Sequence, residues 1–264
     1  MIEIMLYLLT GVFAGLLAGL LGVGGGLVVV PVLSLLFTPY FPAPLVMHVA
    51  VGTSFAIMIF TALSSAYAYH RRRLIFWPLF LRFVPGLLAG TVAGSVIARE
   101  LSSQHLRFAF AIFIIFVAIN MFFSKEVKSR RQLPNLFVLS FFAFLVGILS
   151  GFFGIGGGTM MVPFFVYCDI EMHKATGTSA ACGFPLAVIG TLSMTITGWT
   201  TAIANHAPIG TIGYIYWPAA IIIAISSLLC APLGTRLAVW LPSRILKCIF
   251  AVVLTLTAVN LLLK

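Results

Sequence analysis

Apolar runs of about 20 residues, each long enough to cross a ~30 Å hydrocarbon core, follow one another from one end of the chain to the other. They leave no stretch for a soluble domain. Hydrophobic residues fill 62% of the 264 positions and charged residues only 8%, whereas soluble chains are roughly a quarter charged. The class expected is an all-α integral membrane protein taking the whole chain. The opening Met1-Ile2-Glu3 has no basic n-region and no small-residue cleavage site follows it, so the first segment is expected to stay in the mature protein. Cys168, Cys182, Cys230 and Cys248 lie in apolar surroundings without CxxC spacing and are expected to be structural thiols. No metal site and no cofactor is expected. The net charge of +10 would point to nucleic acid in a soluble chain. Here the cations cluster in short connections, where they orient a membrane protein.

The chain repeats itself. Gly15–Pro31, GLLAGLLGVGGGLVVVP, aligns with Gly147–Pro163, GILSGFFGIGGGTMMVP, at nine identities in seventeen positions. The likeness continues through Met47-His48 and Met172-His173, Gly52-Thr53-Ser54 and Gly177-Thr178-Ser179, Trp77-Pro78 and Trp217-Pro218, and Asn120 and Asn260. The expected organisation is a first transmembrane repeat over 1–123, a charged cytoplasmic linker over 124–134, and a second repeat over 135–264.

Polar and proline punctuation divides each half into a long glycine-broken stretch and three helices. These are expected at 4–38, 45–70, 74–98 and 106–123, and at 135–168, 173–203, 214–239 and 245–263. A straight helix of ~34 residues would run ~50 Å, too long for one span. Two arms of ~20–25 Å that turn at the glycines suit a re-entrant hairpin, giving about ten segments; one kinked helix in each half gives eight spans instead. A hairpin leaves each half with an odd number of crossings and inverts the second half. With Arg71, Arg72, Arg73, Lys125, Lys128, Arg130 and Arg131 inside, inversion also places Lys174, Arg236, Arg244 and Lys247 inside, and only Arg99, Arg107 and Lys264 outside. The parallel arrangement divides the cations almost evenly, so charge favours two inverted repeats.

Inverted repeats with broken helices place their substrate near the midplane, where the breaks meet. Gly22, Gly24, Gly25 and Gly26, with Gly154, Gly156, Gly157 and Gly158, permit positive φ and close backbone approach. Each cluster opens a following helix, so unpaired N–H groups and a positive dipole end point toward the turn and suit an anion. Packing through small residues is the competing account, and Gly11, Gly15 and Gly19 are assigned to it. Thr53, Ser54, Thr178 and Ser179 are candidate donors to anion oxygens, or else bond to helical carbonyls.

His48 and His173 recur at matching positions, and with Arg82 they are candidates for a coupling step. Interfacial solvation is the plainer account of the histidines and of Asp169, Glu171 and Lys174. Snorkelling is the plainer account of Arg82. Trp77, Trp199, Trp217 and Trp240 fit an aromatic belt.

The paired GLLGVGGG and GFFGIGGG motifs, each followed by an apolar run ending in Pro31 or Pro163, together with the two GTS motifs, resemble the TauE/SafE family of sulfite exporters over essentially the whole chain. That resemblance implies export of a small inorganic or organosulfur anion, sulfite or a sulfonate such as sulfoacetate, across a bacterial inner membrane, by alternating access. Two other functions compete. One is a cation- or proton-coupled carrier using unwound carbonyls and the Asp169/Glu171 pair, which the scarcity of acidic residues disfavours. The other is an intramembrane hydrolase with Ser54 or Ser179 as nucleophile and His48, His173 or His206 as base; duplication disfavours it, because one active site needs no second copy.

Overall fold

The structure, a computed structural model, describes residues 2–22, 24–123, 133–199 and 208–240. Nine helices are described: α1 (Ile2–Leu21), α2 (Gly26–Phe37), α3 (Val46–Arg71), α4 (Trp77–Glu100), α5 (Ser103–Phe123), α6 (Leu136–Phe153), α7 (Gly158–Tyr167), α8 (Met172–Trp199) and α9 (Trp217–Trp240). Six of them, α1, α3, α4, α6, α8 and α9, are long and apolar enough to cross a membrane. Large apolar side chains such as Phe13, Leu81, Phe137, Ile196 and Leu229 stand exposed on their outer faces, as lipid requires of a bundle without a polar surface. The helix expected at 245–263 lies outside the described residues, as do 124–132 and 200–207.

Each glycine break reverses the chain. The start of α2 at Gly25 lies against the Ala14 carbonyl of α1, and beyond the end of α2 the Tyr40 hydroxyl donates to the Glu3 carboxylate. The first two helices therefore run antiparallel and begin and end on the same side. In the second half Gly157 lies against Val146 and Ser150, and Phe164 of α7 stacks on Phe142 of α6 at 3.9 Å. The arms differ from the matched pair expected from sequence. The 20-residue α1 and 18-residue α6 run ~30 and ~27 Å, and the 12-residue α2 and 10-residue α7 only ~18 and ~15 Å. The physical reason is that α1 runs on to Leu21 past Ala14, the level to which the glycines fold the chain back at Gly25.

The halves are interlocked. α1 packs on α9, and α6 packs on α4, through the same small-residue contacts. Gly15 and Gly19 face the carbonyls of Ser227 and Ala231; Gly147 and Gly151 face those of Leu87 and Thr91. In return Gly234 faces Leu16 O, and Gly94 faces Ile148 O. The central pair, α3 and α8, are counterparts of each other. Phe55 lies over Gly190, Ala62 on Gly183 and Tyr69 on Gly177, so they cross with opposite chain sense. A short hairpin, β1 (Thr211–Ile212) with β2 (Ile215–Tyr216), replaces the expected helix start at 214 because Gly210 and Gly213 both adopt positive φ there.

Charge separates the two ends of the bundle. At one, the basic end, lie the end of α3 with Arg71, Arg72 and Arg73, the start of α8 with Lys174, and the last turns of α9 with Arg236, held there by an Arg72 bond to Thr235 O at 3.1 Å. Arg99 and Arg107, at the junction of α4 and α5, lie at the other.

A Cβ at Gly147 would fall 2.3 Å from the Leu87 carbonyl oxygen, so any larger residue forces α4 and α6 apart. Gly147→Leu is expected to cost about 3 kcal/mol or more and to lower the unfolding temperature in detergent by several degrees. Leu145→Ala, on the exposed face of the same helix, is expected to leave it nearly unchanged. Equal shifts for the two variants would overturn the backbone-contact account.

Candidate functional site

The sequence makes each break in the same way. After Leu21, Gly22, Gly24 and Gly25 take φ of 65°, 75° and 80°; after Phe153, Gly154 and Gly157 take 70° and 66°. These are left-handed conformations that residues with a Cβ resist. Gly25 and Gly157 then serve as N-caps of α2 and α7, and neither helix start receives a side-chain cap. The first turns thus keep their positive ends unneutralised by side chains.

The two breaks meet in the middle of the molecule. A Cβ on Gly26 would fall 2.3 Å from the Gly154 carbonyl oxygen, and one on Gly24 would fall 3.4 Å from the Gly156 Cα. The GTS motifs lock this meeting by exchange between halves. Ser54 Oγ donates to Gly154 O at 3.0 Å, and Ser179 Oγ donates to Gly22 O at 3.1 Å. One residue earlier, Thr53 Oγ1 accepts the Tyr216 N–H at 3.0 Å, and Thr178 Oγ1 accepts the Phe76 N–H at 2.9 Å. Another residue earlier, Gly52 lets Tyr214 O approach and Gly177 lets Leu74 O approach; a Cβ would meet those oxygens at 2.3 and 2.4 Å. The three residues of the motif thus act differently. Gly admits the chain ahead of a Trp-Pro helix, Thr holds its amide, and Ser pins the opposite break.

Of the residues singled out by sequence, the structure brings together the eight glycines, Ser54 and Ser179. Thr53 and Thr178 are fully buried beside them but turn toward the starts of α9 and α4. Thr178 also donates back to Lys174 O at 2.7 Å. His48 is 4% exposed. Its Nε2–H donates to Ala98 O at 3.0 Å and its ring stacks on Tyr214, so it sits at the end away from the basic cluster. His173 is partly exposed at the basic end, and Arg82 is exposed on α4. Neither joins the glycine breaks. Glu171 and Lys174 pair at 3.5 Å on the surface. Cys168 and Cys182 are buried and unbridged; Cys248 lies outside the described residues. Sequence reasoning missed Met58, whose Sδ covers Gly24, and the carbonyl partners of the serines. The recurrence of Trp-Pro at 77 and 217 was the one signal pointing to the threonines' partners.

Ser54→Ala and Ser179→Ala each remove one hydrogen bond, an effect of about 1 kcal/mol within a membrane. Gly26→Ala pushes a methyl into a carbonyl and must move the other half's backbone, which costs more. In thermal unfolding Gly26→Ala is therefore expected to fall below both serine variants. The reverse order would show that the hydroxyls, rather than the close approach, hold the breaks together.

The family described as Sulfite exporter TauE/SafE matches residues 7–261. A probable membrane transporter protein of Haemophilus influenzae is 34% identical over 265 residues, covering 99% of this chain and 98% of its own. One from Methanocaldococcus jannaschii is 30% identical over 236 residues, covering 88% and 85%, and YunE of Bacillus subtilis, also a probable membrane transporter protein, is 30% identical over 218 residues, covering 74% and 80%. No solved structure matches the chain. A match that runs through both glycine breaks and both GTS motifs, with relatives alike over 80–98% of their own length, places this chain in the TauE/SafE family.

Proposed function

We propose that this multi-pass membrane transporter exports a small oxyanion, sulfite or an organosulfonate such as sulfoacetate, across the bacterial inner membrane by alternating access. One observation carries the reading: two helix starts without side-chain caps converge at the centre, each pinned by a serine of the other half. Converging positive ends attract a negative solute without a fixed charge in lipid.

In the conformation described, Gly26 and Gly154 touch, so nothing fits between them. Binding requires the breaks to part. Parting releases the Ser54 and Ser179 hydroxyls from Gly154 O and Gly22 O, and the same two donors then turn to the oxygens of the anion. The bonds exchanged are worth about 1 kcal/mol each, an amount that substrate contacts replace.

Orientation follows from charge and chain sense. The basic end faces the cytoplasm, and the opposite chain sense of α3 and α8 supports halves inverted across the membrane. The inside-negative potential then drives each exported charge outward with ~2.3 kcal/mol per 100 mV.

Reconstituted protein is expected to carry sulfite or sulfoacetate down an imposed gradient. Ser54→Ala and Ser179→Ala are expected to lower that flux several-fold while the protein stays folded by gel filtration. Flux of sodium or potassium alone, with no response to either anion, would sink the proposal in favour of a cation carrier.

A further inference from the structure

The two halves share one order of helices but not the side chains that fill the centre. Phe55 follows Ser54 on α3, is fully buried, and lies so tightly over Gly190 that a Cβ there would fall 2.6 Å from two ring atoms. Its counterpart after Ser179 is Ala180, and the counterpart of Gly190 is Ser65. Met58 fills the space against Gly24, whereas its counterpart is Gly183. A Cβ added at Gly183 would meet only the Ala62 methyl, at 3.5 Å. Leu27, fully buried in the first turn of α2, corresponds to Thr159 in α7.

These differences point the same way along the bundle. α3 starts at the end opposite the basic cluster and α8 finishes there, so Phe55 over Gly190 lies on that side of the crossing and Ala180 with Ser65 on the basic side. Farther out, the Phe55 side carries a cluster of rings, and the basic side carries the fully buried Tyr69, which lies over Gly177 and donates to Gly19 O at 2.8 Å. Tyr216 packs edge-on across the halves against Phe37 and Phe41, at 5.6 and 5.7 Å, and Tyr214 stacks on His48. Those rings come from 38–45 and 208–216 and the helix end beside them, whereas the counterpart connections at the basic end, 168–171 and 72–76, are short. Four buried polar atoms have no partner among the described residues: Ser65 Oγ and Thr159 Oγ1 toward the basic end, and His48 Nδ1 and Trp217 Nε1 toward the other. Ser65 is 1% exposed. A buried hydroxyl without a partner is costly unless something visits it.

We propose that Phe55 is the plug that shuts the central route toward the end opposite the basic cluster, and that solute enters from the basic end past Ala180 and the Ser65 hydroxyl. This rests on the alternating-access reading, but it concerns access rather than substrate. An oxyanion entering there takes its first buried hydrogen bond from Ser65. Filling Ala180 with a ring blocks that entry, and emptying Phe55 opens the other.

The test reads water access directly and so does not depend on which solute is carried. Ser65→Cys, in a chain with Cys168, Cys182, Cys230 and Cys248 replaced by alanine, is treated with a membrane-impermeant methanethiosulfonate in spheroplasts and in inside-out vesicles. Topology is fixed beforehand by labelling a cysteine at exposed Arg73. The thiol is expected to react on the order of ten times faster from the face carrying the basic end. Adding Phe55→Ala should make it react from both faces, and adding Ala180→Phe should abolish reaction from the basic face. Gel filtration and melting temperature check the fold, and the gain-of-plug variant carries the test if Phe55→Ala does not fold. Reaction from the opposite face without Phe55→Ala, reaction from neither face, or no effect of Ala180→Phe overturns the proposal. Absent sulfite flux with this labelling pattern intact overturns only the substrate.

Discussion

Backbone meeting backbone is the constraint on which the rest of this molecule depends. In lipid there is no hydrophobic drive to bring one helix against another, because the surrounding chains are as apolar as leucine. What remains is close approach and the hydrogen bonds it permits. The chain meets this with glycine at the crossings between halves: Gly15 and Gly19 against α9, Gly147 and Gly151 against α4, and Gly26 against the Gly154 carbonyl. Where helices come this close, a serine or threonine can reach a main-chain partner in the neighbouring half. Ser54, Ser179, Thr53 and Thr178 all do so.

The reciprocity of these contacts ties structure to function. Each GTS bond that the first half makes to the second is returned, so neither half completes its own centre. The Gly22–Gly25 break is held by Ser179 and the Gly154–Gly157 break by Ser54. A displacement of one half against the other therefore acts on both breaks together. That is the mechanical requirement for a site that opens to one side as it closes to the other.

Much of this is legible in the residues alone. Length and hydropathy place the described helices to within a few residues, since an apolar run cannot be interrupted in lipid without punctuation. The duplication of GxGGG and GTS marks the breaks and the buried hydroxyls. The reversal at each break follows from the excess length of the glycine-broken stretch, although its unequal arms do not, because glycine permits a turn without fixing where the chain resumes its helix. The partners of the hydroxyls are not legible. Ser54 and Gly154 are 100 positions apart, and no local pattern encodes such a pairing. Nor is the hairpin at 211–216, whose short apolar run resembles a helix start until Gly210 and Gly213 turn the chain.

Duplication alone would build a molecule with two equal routes to its centre, and an equal pair makes a poor one-way device. The two GTS motifs are kept identical because each must pin a carbonyl of the same geometry. The next residue is free of that duty, and there the halves part: phenylalanine in one and alanine in the other. The same separation recurs at Met58 and Gly183, and at Leu27 and Thr159. Side chains that lock the fold match between halves, and side chains that only fill space beside the lock do not. A duplicated bundle can thus keep a symmetric hinge while acquiring an asymmetric path. The divergence leaves the Gly15, Gly19, Gly147 and Gly151 contacts untouched, because those lie on α1 and α6.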